Sequence, residues 1–143
     1  MKNILVSKCL LGYPCRYDGR SVPCKAVIDL QNNHQLIPVC PEELGGLPTP
    51  RIPAEIVGDR VIRQDGEDIT AEYKLGAKLA LTYAMENGCK LAILKSKSPS
   101  CGKGQIYDGT FAGTLRGGDG ITVRLFESKG IKVINEKEAG ELK

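Results

Sequence analysis

Cys9, Cys40 and Cys101 each stand just past a short apolar run: Ile4 to Ser7, Leu36-Ile37-Pro38-Val39 and Leu91-Ala92-Ile93-Leu94. A thiol delivered into a loop by the end of a strand is better placed for chemistry than for packing. Three thiolates brought together can hold a zinc ion with one open position, or three irons of a four-iron cluster with the fourth free. Thiolate ligation favours either over magnesium or calcium, and residue type does not separate the two. Cys15 is close enough to Cys9 in sequence to act as a fourth ligand, which would close the site. Glu42 and Ser100 stand beside these thiols. The carboxylate suits general acid or base work near a metal-bound water, and the hydroxyl suits proton donation or relay. Glu42 serves equally well as the first-turn carboxylate of a helix.

The elements that would carry these residues follow from pattern. Pro23 suits a first helical turn, and Ala26, Val27 and Leu30 share a face up to Asn32-Asn33. Pro38 gives no ladder donor, so the second strand belongs at an edge or begins late. Gly45 to Pro53 is a shaped loop, and Ile56-Val57 and Val61-Ile62-Arg63 flank Gly58-Asp59 as a small hairpin. Thr70 to Asn87 reads as a helix with Thr70 as its cap, Tyr73, Ala77, Ala80 and Ala84 on one stripe and Gly88 as the stop. Gln105 to Gly118 is glycine-dense and reads as a long loop. Asp119 caps a helix through Val123, Leu125 and Phe126 to Lys129, and Ile131 to Ile134 is a fourth strand. This alternation predicts an α/β, Rossmann-like three-layer sandwich: a mostly parallel sheet of about four strands with right-handed crossovers, plus the small hairpin. In such a sheet the three cysteine-bearing ends open on one rim, where ligands bind.

At 143 residues and net charge +3, the chain reads as one domain with a real core and no charge argument for nucleic acid. No segment is long and apolar enough for a signal peptide core or a membrane span, so a cytoplasmic protein is expected. There, six cysteines point to metal, catalysis or burial instead of disulfides. Cys24, read inside a helix, and Cys89, between helix and strand, are taken as buried small hydrophobes. Arg16, Arg51, Lys95, Lys97 and Lys103 could jointly bind an anion such as a nucleotide phosphate, or be solvated charges. His34 reads as a surface residue, and no Ser-His-Asp set, P-loop or G-x-G-x-x-G is present.

Ser7-Lys8-Cys9-Leu10-Leu11-Gly12, Cys15-Arg16-Tyr17-Asp18-Gly19, Val39-Cys40-Pro41-Glu42 with Gly45-Gly46-Leu47-Pro48-Thr49-Pro50-Arg51, and Leu94-Lys95 with Ser98-Pro99-Ser100-Cys101-Gly102 together resemble the thiouracil desulfidase family nearly end to end. The resemblance implies one iron-sulfur desulfidase-like domain over residues 1–143. It implies a 4Fe-4S cluster held by Cys9, Cys40 and Cys101 with one open iron, and Glu42 and Ser100 as catalytic residues. It leaves Cys15 outside the ligand pattern. The implied reaction is non-redox removal of sulfur from a thiolated uracil, captured by the free iron and giving uracil and sulfide. The substrate would be a small thiolated pyrimidine, a thiolated nucleotide or transfer RNA, with a sulfide acceptor as a further partner. A sulfide or iron-sulfur carrier and a zinc-thiolate binding module are the alternatives.

Overall fold

The computed structural model describes residues 2–142. Four parallel strands form the central sheet: β1 (Asn3–Ser7), β2 (Gln35–Val39), β5 (Leu91–Leu94) and β8 (Lys132–Asn135), in the order β2-β1-β5-β8. Alternation along β1 sets the layers. Leu5 joins Ala92, Leu94 and Val133 on one face, while Ile4 and Val6 join Ile93 and Ile134 on the other. The first face is covered by α3 (Thr70–Glu86) and α4 (Ile121–Ser128), through Ala80, Ala84, Val123 and Phe126. The second is covered by Leu10, by α1 (Lys25–Ile28) with the 3-10 turn that continues it to Asn32, and by a 3-10 turn at Ala139–Glu141. The three-layer expectation therefore holds.

β2 is an edge strand, as Pro38 requires; it pairs only with β1, in the register Val6↔Pro38. The hairpin is β3 (Ala54–Val57) with β4 (Arg60–Arg63). Four local expectations are corrected. Gln105 to Gly118 is a second antiparallel hairpin, β6 (Gln105–Tyr107) with β7 (Leu115–Gly117), whose strands are too short to show a pattern among glycines. Thr70 is not the cap of α3 but its first residue, and Asp68 Oδ1 accepts from its backbone N–H at 2.9 Å and its hydroxyl at 2.6 Å. Cys24 precedes α1 and does not lie within it, and Gly120, not Asp119, precedes α4. No helix among the described residues is long and apolar enough to cross a membrane.

Two close approaches fix the rim. The short helix α2 (Pro41–Leu44) lies backbone to backbone on α3, because a Cβ at Gly76 would run into the Pro41 carbonyl and one at Gly45 into that of Glu72. On the other side, the loop after β5 docks on the start of α4. Ile121 N–H donates to Pro99 O (2.9 Å), Thr122 N–H to Ser100 O (2.9 Å) and Gly120 N–H to Gly102 O (2.8 Å). A side chain at Gly120 would strike the Ser100 carbonyl. These contacts hold Cys40 and Cys101 relative to the sheet. Gly76→Ala is expected to cost about 1–3 kcal/mol by overpacking and to push α2 off the site. Gly140→Ala, where nothing lies within 4 Å, leaves the urea midpoint unchanged.

Candidate metal centre

The strand order reverses between β1 and β5: the chain leaves β1 for β2 on one side, then crosses to β5 on the other. At such a switch point the loops diverge and leave a crevice at the carboxyl ends. A cavity of about 340 Å³ occupies it, lined by Cys9 and Cys15 from the loop after β1, by Cys40 and Glu42 after β2, and by Ser98 and Cys101 after β5. Cys9, Cys40 and Cys101 are thus brought together, and Cys15 stands with them. Cys24 and Cys89 line no part of the cavity. His34 lies away from it, accepting from Lys2 N–H through Nδ1 at 3.2 Å.

Cys15, Cys40 and Cys101 are held protonated in the free protein. Complete burial, followed by the nearby Glu42 charge, pushes Cys101 from 9.0 up to about 12, with Ser7 and Ser100 acting against the shift. For Cys15 the contact to Cys40 lowers the value, but contact with Cys9 and burial outweigh it and raise it to about 12. Cys40 is raised too, first by its contact with Cys15 and then by burial. A metal entering here must displace protons.

Glu42 is gripped at both oxygens. Arg51 donates to Oε2 from Nε (2.9 Å) and Nη2 (2.5 Å), and the Ser98 hydroxyl donates to Oε1 at 3.2 Å. The side chains of Arg51 and Glu42 are only 8% and 13% exposed. Arg51 is itself clamped: Nη1 donates to Pro48 O and Thr49 Oγ1, and Nη2 to Cys15 O. Next to it, burial works against the Glu43 carboxylate, yet Lys8 at 2.6 Å and the Thr49 hydroxyl at 2.9 Å hold it below the usual range.

Ser100 is engaged with α4 and not with Glu42. It is fully buried, its hydroxyl is 2.7 Å from Thr122 Oγ1, and it does not line the cavity. Its placement follows from the docking of its carbonyl on α4. The serine beside Glu42 is Ser98, whose hydroxyl also accepts from the backbone N–H groups of Ser100 (3.0 Å) and Cys101 (3.1 Å). A serine ahead of Pro-x-x often turns its hydroxyl onto following amides, and that signal was available in Ser98-Pro99-Ser100-Cys101. Of the cations, Arg16, Arg51, Lys95 and Lys97 line the cavity, and Lys103 does not; it pairs with Glu127 at 2.9 Å on α4. Lys95 is engaged by Glu136 at 3.2 Å. Lys97 has a left-handed backbone (φ 71°), held by its bridge to Ile106. Tyr73, from α3, lines the wall, with its phenol kept protonated by burial and by Glu42.

The profile of the 2-thiouracil desulfurase family matches residues 4–138. The chain belongs to that family. It is 41% identical over 97% of its length to the uncharacterized protein YbbK of Bacillus subtilis (strain 168), covering 99% of that relative. Among solved structures it is similar to the 4Fe-4S-dependent thiouracil desulfidase TudS, with a TM-score of 0.93, 44% identity, and 99% of this chain and 95% of that one covered. The donor set of this family member suits such a cluster chemically, since four thiols face one cavity and its carboxylates are already engaged, Glu42 by Arg51 and Ser98 and Glu55 by the Gly109 and Phe111 amides.

The buried thiols make stability depend on pH in the metal-free, reduced protein. The unfolded chain loses thiol protons above 9.0, while Cys15 and Cys101 keep theirs up to about 12. Their contribution is therefore full below pH 9 and is lost as pH rises from there towards 12. Thermal melts followed by circular dichroism should fall in midpoint across this window, with a flatter slope for Cys101→Ser.

Proposed function

We propose that this chain is a thiouracil desulfidase that converts a small thiolated uracil and water into uracil and sulfide without net redox change. What supports the reading most is the convergence of Cys9, Cys40 and Cys101 from three strand ends on one cavity beside Glu42, on a fold that matches TudS throughout. Residues 1–143 act as one domain in the cytoplasm, where thiols stay reduced. Cys9, Cys40 and Cys101 would hold a 4Fe-4S cluster and leave one iron without a protein ligand. Bound there, the cluster supplies a soft Lewis acid for the thiocarbonyl sulfur.

The chain's own residues do the rest. Glu42 takes a proton from the water whose oxygen bonds to the ring carbon, and a proton returns as the carbon–sulfur bond breaks; no electrons are gained or lost. Arg51 fixes which lone pairs of Glu42 face the cavity by occupying Oε2. Ser98, on Oε1, carries the proton between carboxylate and substrate. Ser100 acts through Cys101, by favouring its thiolate, and not on the substrate. Burial of the wall by Tyr73, Pro41 and Val39 limits water to the one that reacts. The substrate class is a free base or a mononucleotide, with Arg16 and Lys97, which line the same cavity as the thiols, available to a phosphate.

The test is anaerobic reconstitution followed by a screen of thiouracils and thiolated nucleotides. Wild type should take up iron and acid-labile sulfide and release uracil and sulfide over many turnovers. A carrier would release no uracil, and a zinc-thiolate module would take up neither iron nor sulfide. Ala at Cys9, Cys40 or Cys101 should abolish the visible absorbance and turnover, while Cys15→Ala still acquires the absorbance. Glu42→Gln keeps the absorbance and loses about 10²–10⁴-fold in kcat, and Ser98→Ala loses more than Ser100→Ala. Full activity in Cys101→Ala would refute the reading.

A further inference from the structure

The cavity contains one thiol more than a three-cysteine cradle uses. Cys15 lines the cavity with Cys9 and Cys40, and its carbonyl accepts from Arg51 at 3.1 Å and faces the Cys40 thiol at 3.8 Å. Glu43 brings a carboxylate to the same point from α2. Cys15 Sγ, Cys40 Sγ and a Glu43 oxygen all lie within 4.8 Å of one another. Cys101 is not part of this group. Two thiols and a carboxylate are the donors of a borderline-soft dication with a tetrahedral preference, zinc above all, and they leave a fourth position for water or Cys9. Zinc–sulfur bonds of about 2.3 Å place two tetrahedral sulfurs roughly 3.8 Å apart, so closing the set around an ion needs side-chain shifts on the order of 1 Å.

Charge also fits a single dication. Two thiolates and a carboxylate around it carry one excess negative charge, and the Lys8 ammonium, 2.6 Å from Glu43, balances it. Lys8 and Thr49 hold the two Glu43 oxygens, which orients the carboxylate in the way that supporting hydrogen bonds orient metal ligands generally.

We propose that Cys15, Cys40 and Glu43 form a mononuclear zinc-type site in the cluster-free protein, and that its occupation excludes cluster assembly because Cys40 serves both. The first half stands on the geometry alone; the second rests on Cys40 being a cluster ligand.

Zinc is titrated into reduced, cluster-free protein under anaerobic conditions in competition with a chromophoric chelator, and cadmium is added separately to read thiolate charge-transfer absorbance. Wild type should bind one zinc, with Cys15→Ser and Glu43→Gln at least tenfold weaker and Cys101→Ser within about twofold of wild type. The cadmium band should fall in Cys15→Ser and persist in Cys101→Ser. Circular dichroism of each metal-free variant establishes that it is folded, and Glu43→Gln serves if Cys15→Ser is not. Equal weakening by Cys101→Ser, or wild-type affinity in Cys15→Ser, overturns the site. For exclusion, iron and sulfide reconstitution is run with and without one equivalent of zinc: zinc should suppress the visible absorbance in wild type and spare it in Cys15→Ser. Equal suppression in both overturns exclusion. Failure of wild type to form any cluster without zinc would instead count against the desulfidase reading and leave the zinc titration to decide the site.

Discussion

The arrangement of this protein depends on the backbone contact between α2 and α3. Glycine at positions 45 and 76 lets the two helices touch at the Pro41 and Glu72 carbonyls, closer than any side chain would allow. Cys40 and Glu42 sit at the start of the four-residue helix α2, which is too short to hold its own geometry. Its position is borrowed from α3, a longer element packed on the sheet through Ala80, Leu81 and Ala84 and on the β3–β4 hairpin through Tyr73. The same logic operates across the cavity, where the loop bearing Cys101 has no regular structure and takes its shape from the first turn of α4.

Electrostatics then sorts the cavity into two halves. Near Glu42 the charge is matched: Arg51 and the carboxylate are largely removed from solvent and bonded in a fork, and the remaining Arg51 donors are spent on Pro48, Thr49 and Cys15. Breaking such a pair strands a charge, which is costlier than the pair is favourable. Near the thiols the opposite holds. Cys15, Cys40 and Cys101 line one cavity and are held protonated, so their protons must leave when a cation enters.

Much of this was legible along the chain, and the parts that were not share a cause. The unbroken apolar runs Ile4-Leu5-Val6 and Leu91 to Leu94 announce strands buried on both faces, and Pro38 announces an edge. Once the strands are parallel, Cys9, Cys40 and Cys101 must share a rim. Orientation within a loop is different, because it is decided by partners far away in sequence. Ser98 and Ser100 are two residues apart and chemically identical; which one faces Glu42 is set by α4, through Ser100 O and Thr122. Lys103 likewise turns to Glu127 for a reason that lies in α4. The hairpin of β6 and β7 escaped because three-residue strands carry barely one period of alternation.

Ser98 ties the carboxylate to the cysteine loop through one oxygen, which accepts from two amides of that loop and donates to Glu42. The inner wall is therefore poor ground for redesign, since a change made for one residue is transmitted to the next. The mouth is built otherwise. Tyr17 and Ile52 line it from exposed loop positions, and Tyr107 lines it from the separate β6–β7 hairpin. Substitutions at these three positions can reshape what enters without disturbing the geometry behind, which makes the mouth the evolvable part of the pocket and the place to begin retargeting it to other thiolated heterocycles.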